Sequence, residues 1–164
     1  MKTLLILRHA KAQPDAPRGD RVRTLTKRGR RDAAAMGAHI AATLGRPDAI
    51  VSSDAARARE TADAVVAATG FAAPVTIEPE IYAADLDTLI AVVRGLPDAA
   101  DSVVLVGHNP GFEELTAALT GLDDDEIRLS TAGLATLACD GRQWNAVDPG
   151  DCRLRGIATP SSIA

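Results

Sequence analysis

Short apolar runs alternate with helical patterns along most of the chain. The runs at 4–7, 49–53, 75–78 and 102–107 ("LLIL", "AIVSS", "VTIE" and "SVVLVG") predict strands. Apolar residues at helical spacing predict helices at 30–45, 54–70, 86–96 and 112–121. The tail, at 126–144 and 152–159, alternates in part and predicts two or three further strands. This order favours one α/β domain spanning 1–164, a three-layer α/β/α sandwich with a mainly parallel central sheet.

Local signals refine the ends of the helices. Asp54 precedes the second helical pattern and predicts an N-cap, and Gly70 predicts where that helix ends. Pro110 falls near the first turn of the fourth helix, where its missing N–H group costs no hydrogen bond.

Basic side chains follow three of the predicted strands. The first strand runs into Arg8 and His9, the second is followed within one helical turn by Arg57, and the third long apolar run ends at His108. Ligands of open α/β sheets bind at the carboxyl ends of the strands, so these four groups converge if the strands lie side by side. Two guanidinium groups and two imidazoles in one pocket predict a phosphate site, which the N-termini of the helices after Asp54 and Asn109 would reinforce.

Composition narrows the classes of partner. The chain has 18 Lys and Arg against 22 Asp and Glu, a formal net charge of −4, and only 2% aromatic residues. This balance gives no general attraction for nucleic acid or an anionic membrane, and stacking platforms for bases are scarce. No segment is apolar for long enough to cross a membrane. We therefore expect a cytoplasmic protein, with Cys139 and Cys152 as free thiols, although a single disulfide stays open.

A histidine in such a pocket suits nucleophilic attack on phosphorus. A neutral imidazole can form a phosphohistidine intermediate, while fixed cations stabilise the charge on the phosphoryl oxygens. The two strand-end histidines are far apart in sequence and lack the spacing of a zinc site, so we expect no metal and no cofactor. The third histidine, His39, falls inside a helical pattern and is assigned to the surface or to helix packing.

Three segments resemble motifs of the histidine phosphatase superfamily, the phosphoglycerate-mutase-like proteins. "LRHAKA" resembles the RHG motif, with Ala10 in the third position. "SSDAARARETA" resembles the S-x-x-x-R-A-x-x-T element, and "VGHNPG" resembles the strand that carries the second histidine. The segments occur in the family's order, and "LTKRGRRDA" fits its first helix. The short length and the forms "LRHAKA" and "GHNPG" resemble the SixA-type phosphohistidine phosphatase branch.

The resemblance implies a role for each strand-end residue. His9 would be the nucleophile that becomes phosphorylated, Arg8 and Arg57 would bind phosphoryl oxygens, and His108 would donate a hydrogen bond to the phosphoryl group. Larger relatives also carry a carboxylic acid between the Arg and second-His elements. Glu80 is our candidate for that acid, against the alternative that Glu80 and its neighbours Glu78, Asp85 and Asp87 are solvated loop carboxylates.

The sequence favours a phosphorylated protein as the substrate and leaves alternatives open. No stretch of the chain is left over to form a capping domain, so an open site would admit a phosphorylated protein that presents phosphohistidine. Lys11, in the Arg-rich loop, and Asn109 are further candidate binding residues. A broad phosphatase of small phosphomonoesters and a non-catalytic phosphate-binding module remain as alternatives.

Overall fold

The centre of the protein is a six-stranded sheet with the strand order β3-β2-β4-β1-β5-β6. In the computed structural model, which describes residues 1–141 and 143–164, the strands are β1 (Lys2–Arg8), β2 (Ala49–Ser52), β3 (Thr76–Ile77), β4 (Ser102–Gly107), β5 (Leu134–Cys139) and β6 (Cys152–Ala158). β1, β2, β3 and β4 are parallel, and β5 is antiparallel to both of its neighbours, β1 and β6. The predicted mainly parallel sheet is confirmed. Arg142, which falls in the predicted tail strands, lies outside the described residues.

Helices cover both faces of the sheet, as the alternation of side chains along β1 requires. Leu4 and Ile6 pack with the core that holds α3 (Leu86–Arg94) and α4 (Gly111–Thr120). Leu5 and Leu7 pack with the core that holds α1 (Lys27–Thr43) and α2 (Ala56–Thr69). A strand buried on both faces reads as a continuous apolar run, which explains the pattern of β1. The three-layer α/β/α arrangement is therefore confirmed.

Three helices begin at residues other than those predicted, although α4 differs by one residue only. α1 starts three residues earlier, because the Thr26 side chain caps it by accepting a hydrogen bond of 2.9 Å from the Gly29 N–H. The N-cap of α2 is Ala55 with no side-chain cap, so the prediction of Asp54 in that position was wrong. The carboxylate of Asp54 instead lies 3.4 Å from the guanidinium of Arg21.

The two cysteines form a disulfide, which corrects the expectation of free thiols. Cys139 and Cys152 are direct partners in the register of β5 and β6, and both are buried. Their 13-residue separation gave no sign of this pairing, because the register that brings them together is set by the sheet.

No helix among the described residues is long and apolar enough to span a membrane.

Candidate active site

The basic strand-end residues meet at one edge of the sheet because β2, β4 and β1 are neighbours. The backbone N–H of His9 donates to the Gly107 carbonyl, and that of Ser53 donates to the Val106 carbonyl, each at 3.0 Å. These bonds extend the sheet just past the strand ends and fix where the following side chains point. The rings of His9 and His108 lie with their centroids 5.3 Å apart.

His9 is held in one tautomer and is neutral. Its Nδ1 lies 2.7 Å from the carbonyl oxygen of Ala10. A carbonyl can only accept, so Nδ1 carries the ring proton and the lone pair of Nε2 is available. Burial, with the nearby positive charges of Arg57 and Arg8, lowers the pKa of His9 to about 3 despite the bond to Ala10. The result is an unprotonated imidazole nitrogen at neutral pH, which is what nucleophilic attack requires.

The backbone around His9 is tied to α2 through Thr61. The N–H of Ala10 donates to Thr61 Oγ1 at 3.0 Å, and the Thr61 hydroxyl donates to the Arg57 carbonyl at 2.8 Å. Ala10 and Thr61 are both fully buried. On the other side, the His9 carbonyl accepts a bond of 3.0 Å from the N–H of Ala132. The segment after β1 is therefore fixed on both sides, which keeps the His9 ring in place.

His108 is oriented by Ser53. Its Nε2 lies 2.8 Å from Ser53 Oγ, which also accepts a bond of 3.2 Å from the Ala55 N–H. His108 Nε2 is the one hydrogen-bond acceptor for the Ser53 hydroxyl proton among the described residues, and with Ser53 as the donor the ring proton of His108 is on Nδ1. That Nδ1 is buried and has no hydrogen-bond partner within the described residues. Burial, followed by the charge of Arg57, lowers the pKa of His108 to about 4.

Both arginines are anchored by their terminal nitrogens. Arg8 Nη1 donates to the Leu129 carbonyl at 2.9 Å. Arg57 is almost completely buried, and its Nη1 and Nη2 donate to the Asp20 carbonyl at 2.9 Å and to Asp20 Oδ2 at 3.0 Å. The Nε atoms of both arginines are buried without a partner in the part of the chain that the structure describes. Burial lowers the pKa of Arg8, while the charge of Glu113 opposes that shift.

Unpartnered N–H donors thus gather around one neutral imidazole. Arg8 Nε, Arg57 Nε and His108 Nδ1 are nitrogen donors that burial separates from solvent. A buried donor without an acceptor is costly, and an anion that reached these nitrogens would supply the missing acceptors. Tetrahedral phosphoryl oxygens match this arrangement in charge and in number of acceptors.

The remaining sequence candidates lie in different surroundings. Asn109 is beside His108, and its Nδ2 donates to the Leu129 carbonyl at 2.9 Å, so it shares an acceptor with Arg8. Lys11 is exposed on the loop after β1. Glu80 is exposed and lines a cavity together with Val51 and Leu96, and that lining contains none of the four strand-end residues. His39, assigned to the surface or to helix packing, is half-buried in α1 and lines a cavity that contains none of the four strand-end residues.

A cavity of about 510 Å³ opens beside His108. It lies between the N-terminus of α4 and the segment that precedes α3. Two carboxylates, Asp85 and Glu114, line it together with apolar groups that include Ile81 and Leu89. Asp85 is the N-cap of α3, and its Oδ1 accepts a hydrogen bond of 2.9 Å from the Thr88 N–H. The cavity is therefore open space directly beside the His108 ring.

Sequence reasoning missed three residues of this site. Ser53 is the serine of the S-x-x-x-R-A-x-x-T element, but the resemblance assigned it no role in orienting a histidine. Asp20 lies in a polar stretch without a motif, and Tyr82, the single tyrosine, was not considered. The Tyr82 hydroxyl donates to Asp20 Oδ2 at 2.5 Å, and its ring meets the His108 ring edge-on at a centroid distance of 5.5 Å. Only the three-dimensional contacts reveal this group.

Comparisons with known proteins agree with the geometry. The family model of the histidine phosphatase superfamily (branch 1) matches residues 4–89. An uncharacterised protein of Mycobacterium tuberculosis is 32% identical over 163 residues, covering 94% of this chain and 99% of its own. A structure from Nakamurella multipartitia, assigned as the phosphohistidine phosphatase SixA, is similar with a TM-score of 0.83 and 32% identity, over 97% of this chain and 96% of that one.

A structure of the protein histidine phosphatase SixA complexed with tungstate shares the fold, with a TM-score of 0.86 and 22% identity over 99% of both chains. The match of the family model covers more than half of the chain, and the relatives extend the likeness over nearly all of it. The chain therefore belongs to the histidine phosphatase superfamily, in its SixA-type branch.

Proposed function

We propose that this phosphatase works through a phosphoenzyme on His9 and removes phosphate from phosphohistidine in proteins. The observation that carries the proposal is the neutral, oriented imidazole of His9 beside three buried N–H donors that have no partner among the described residues. Membership of the family supports the phosphatase reaction. The protein substrate is our own inference.

The first half of the reaction transfers the phosphoryl group to His9. The lone pair of His9 Nε2 forms a bond to phosphorus as the bond between phosphorus and the leaving nitrogen breaks. The freed imidazole of the substrate keeps the electron pair and takes up a proton from solvent. Arg8 and Arg57 bind the phosphoryl oxygens through their Nε–H groups, and His108 donates through Nδ1–H, so the charge that spreads over these oxygens is stabilised.

The second half returns His9 to its starting state. A water molecule attacks the phosphorus of phosphorylated His9, the bond from phosphorus to Nε2 breaks, and orthophosphate leaves with the oxygen of that water. The bond from His9 Nδ1 to the Ala10 carbonyl persists throughout, which keeps Nε2 as the reacting nitrogen. All steps proceed with groups of this chain and water alone.

The state of the nearby carboxylates supports a leaving group that departs without a strong acid. Asp20 is held as a carboxylate, because the Tyr82 hydroxyl, Arg23 and Arg57 all lower its pKa. Asp85 caps a helix, and Glu80 faces another cavity. An imidazole leaving from phosphohistidine needs less protonation than an alkoxide leaving from a phosphate ester. The four α-helices and six strands among the described residues form the sheet and its two covering layers, which supports an open site.

Small phosphomonoesters are the second candidate substrates. The cavity of about 510 Å³ beside His108 is large enough for the leaving group of a small metabolite, and Glu114 on its lining is the carboxylate we propose as the acid in that case.

Turnover of a phosphohistidine protein beside a small phosphomonoester tests the proposal. We expect the wild type to prefer phosphohistidine and His9→Ala to lose both activities. His39→Ala is the matched control, because it removes a histidine of α1 outside the site and should keep full turnover. Activity on the ester alone would favour the second candidate. No turnover of either substrate would contradict a phosphatase and favour a phosphate-binding module.

A further inference from the structure

The loop after β1 folds back onto Arg57 through a single carboxylate. Asp20 opens the short 3-10 helix Asp20–Val22 and lies between three groups. Its Oδ2 accepts from Arg57 Nη2 at 3.0 Å and from the Tyr82 hydroxyl at 2.5 Å, while its Oδ1 accepts from Arg23 Nε at 2.8 Å. The backbone carbonyl of Asp20 also accepts from Arg57 Nη1. One residue therefore occupies both terminal nitrogens of Arg57.

The same arrangement recurs at Arg8 with a different acceptor. There the Leu129 carbonyl binds Nη1 and the Nε of Arg8 stays buried without a partner in the described chain. At Arg57, Asp20 binds Nη1 and Nη2, and again Nε is left over. Both guanidinium groups are thus hydrogen-bonded through terminal nitrogens, Arg57 through two and Arg8 through one, while the Nε of each has no partner within the described ranges. The fork of an arginine has a fixed geometry, so gripping one edge sets the direction of the other.

We propose that Asp20 is a positioning residue of the phosphatase reaction, which aims the Nε edge of Arg57 at the phosphoryl group. The proposal rests on the proposed function for the identity of the ligand and adds a residue outside the resembling motifs. Asp20 is not the general acid, since the groups that surround it keep it ionised.

Tyr82 and Arg21 brace the carboxylate. The guanidinium carbon of Arg21 lies 4.2 Å from the centroid of the Tyr82 ring, and Arg21 also pairs with Asp54 at 3.4 Å. A cation stacked on an aromatic ring holds both side chains in place. The loop after β1, the segment before α3 and the start of α2 are therefore joined at Asp20, whose own side chain is 47% exposed while that of Arg57 is 7% exposed. The exposed partner is the one that can be changed without opening the core.

Binding of inorganic phosphate in a double-mutant cycle tests the proposal. The four proteins are the wild type, Asp20→Ala, Arg57→Ala and the double variant. We expect Asp20→Ala to weaken phosphate binding about 10-fold and to lower kcat/KM by up to about 10²-fold, the scale of a misplaced catalytic group. In the Arg57→Ala background the same substitution should change phosphate binding little, because the group that it positions is gone.

Two controls separate positioning from a structural role. Asp20→Asn keeps an oxygen that accepts from Arg57 Nη2 but loses the acceptor for Arg23 Nε, so it should restore much of the phosphate binding and turnover that Asp20→Ala loses. Asp15→Ala removes an exposed carboxylate of the same loop and should change neither. Equal effects of Asp20→Ala in both backgrounds would overturn the proposal. Tighter phosphate binding by Asp20→Ala would also overturn it, because Asp20 would then compete with phosphate for Arg57.

The outcomes distinguish this inference from the function on which it rests. A wild type that binds phosphate but turns over no phosphorylated substrate contradicts the proposed function, while the binding cycle still decides whether Asp20 positions Arg57. If the enzyme is active but Asp20→Ala and Arg57→Ala have additive effects on phosphate binding, only the role of Asp20 is refuted and the proposed function stands. A wild type that binds no phosphate refutes both.

Discussion

Replacing Thr61 by valine tests how the site is held to α2. Valine has nearly the shape of threonine but cannot accept the hydrogen bond from the Ala10 N–H, which is 3.0 Å long in the wild type. Ala10 and Thr61 are both at 0% exposure, so water cannot replace the lost acceptor. The substitution therefore leaves a buried donor unpaired directly after the nucleophile.

The structure sets the size of the effect. Leaving a buried backbone donor unsatisfied costs about 1–3 kcal/mol of unfolding free energy. For a protein of this length each kcal/mol lowers the melting temperature by about 2–4 °C, so a loss of about 2 kcal/mol predicts a fall of about 4–8 °C. The carbonyl of the same residue, Ala10, accepts a hydrogen bond from His9 Nδ1 and orients the His9 ring. A shift of Ala10 should therefore lower kcat, by up to about 10²-fold for a displacement of about 1 Å.

Thermal unfolding and steady-state kinetics measure the two consequences. Thr61→Ser is the matched control, because it keeps the hydroxyl and removes only a methyl group. We expect the serine variant to keep most of the wild-type kcat and the valine variant to lose it. A valine variant that equals the serine variant in both melting temperature and kcat would refute the anchoring role of Thr61.

Three further predictions follow from burial, close packing and the disulfide. The unfolded chain binds more protons than the folded one between the lowered pKa of His9, about 3, and its ordinary value of about 6.5. The free energy of unfolding should therefore rise with pH across this window, by about 1.4 kcal/mol per pH unit from His9. Urea titrations from pH 4.5 to 7 measure the total slope, to which His108 also contributes because its pKa is lowered to about 4. A His9→Asn variant should reduce the slope by the His9 share and keep the share of His108, whereas an unchanged slope would contradict the lowered pKa of His9. Gly107→Ala places a Cβ 2.5 Å from the nearest side chain and should destabilise by about 1–3 kcal/mol in a thermal melt. Gly156→Ala is its control, because a Cβ there meets nothing within 4 Å, and equal melting temperatures would contradict the packing. Reducing the bond between Cys139 and Cys152, which are 13 residues apart, should cost about 3 kcal/mol, and an unchanged melt in dithiothreitol would contradict this.

The strand-end residues could be predicted from sequence because their positions follow from topology. A buried run such as 4–7 identifies a central strand, and parallel central strands bring their carboxyl ends to one edge. Arg8, His9 and His108 come directly at or after such strands, so their convergence needed only the strand order, which the structure supplies. Their roles come from the resemblance and stay predictions.

The residues that hold the strand-end side chains in place could not be predicted in the same way. Asp20 and Tyr82 are 62 residues apart, and their contact depends on how two loops fold over the sheet. Loops carry no hydrophobic period from which their path can be predicted. The disulfide was missed for a related reason, since the pairing of Cys139 with Cys152 depends on the register between β5 and β6. Glu80 was chosen by its place in the sequence, and the structure places it at another cavity.

Detection of a phosphorylated His9 tests directly whether the reaction passes through a phosphoenzyme on this residue. The wild type would be mixed with a phosphohistidine protein, quenched in alkali, which preserves phosphohistidine, and mapped by peptide mass spectrometry. We expect one phosphoryl group on the peptide that contains His9, which disappears on acid treatment and never forms in His9→Ala. Full turnover by the wild type with phosphate on no residue, or on a residue other than His9, would contradict this expectation.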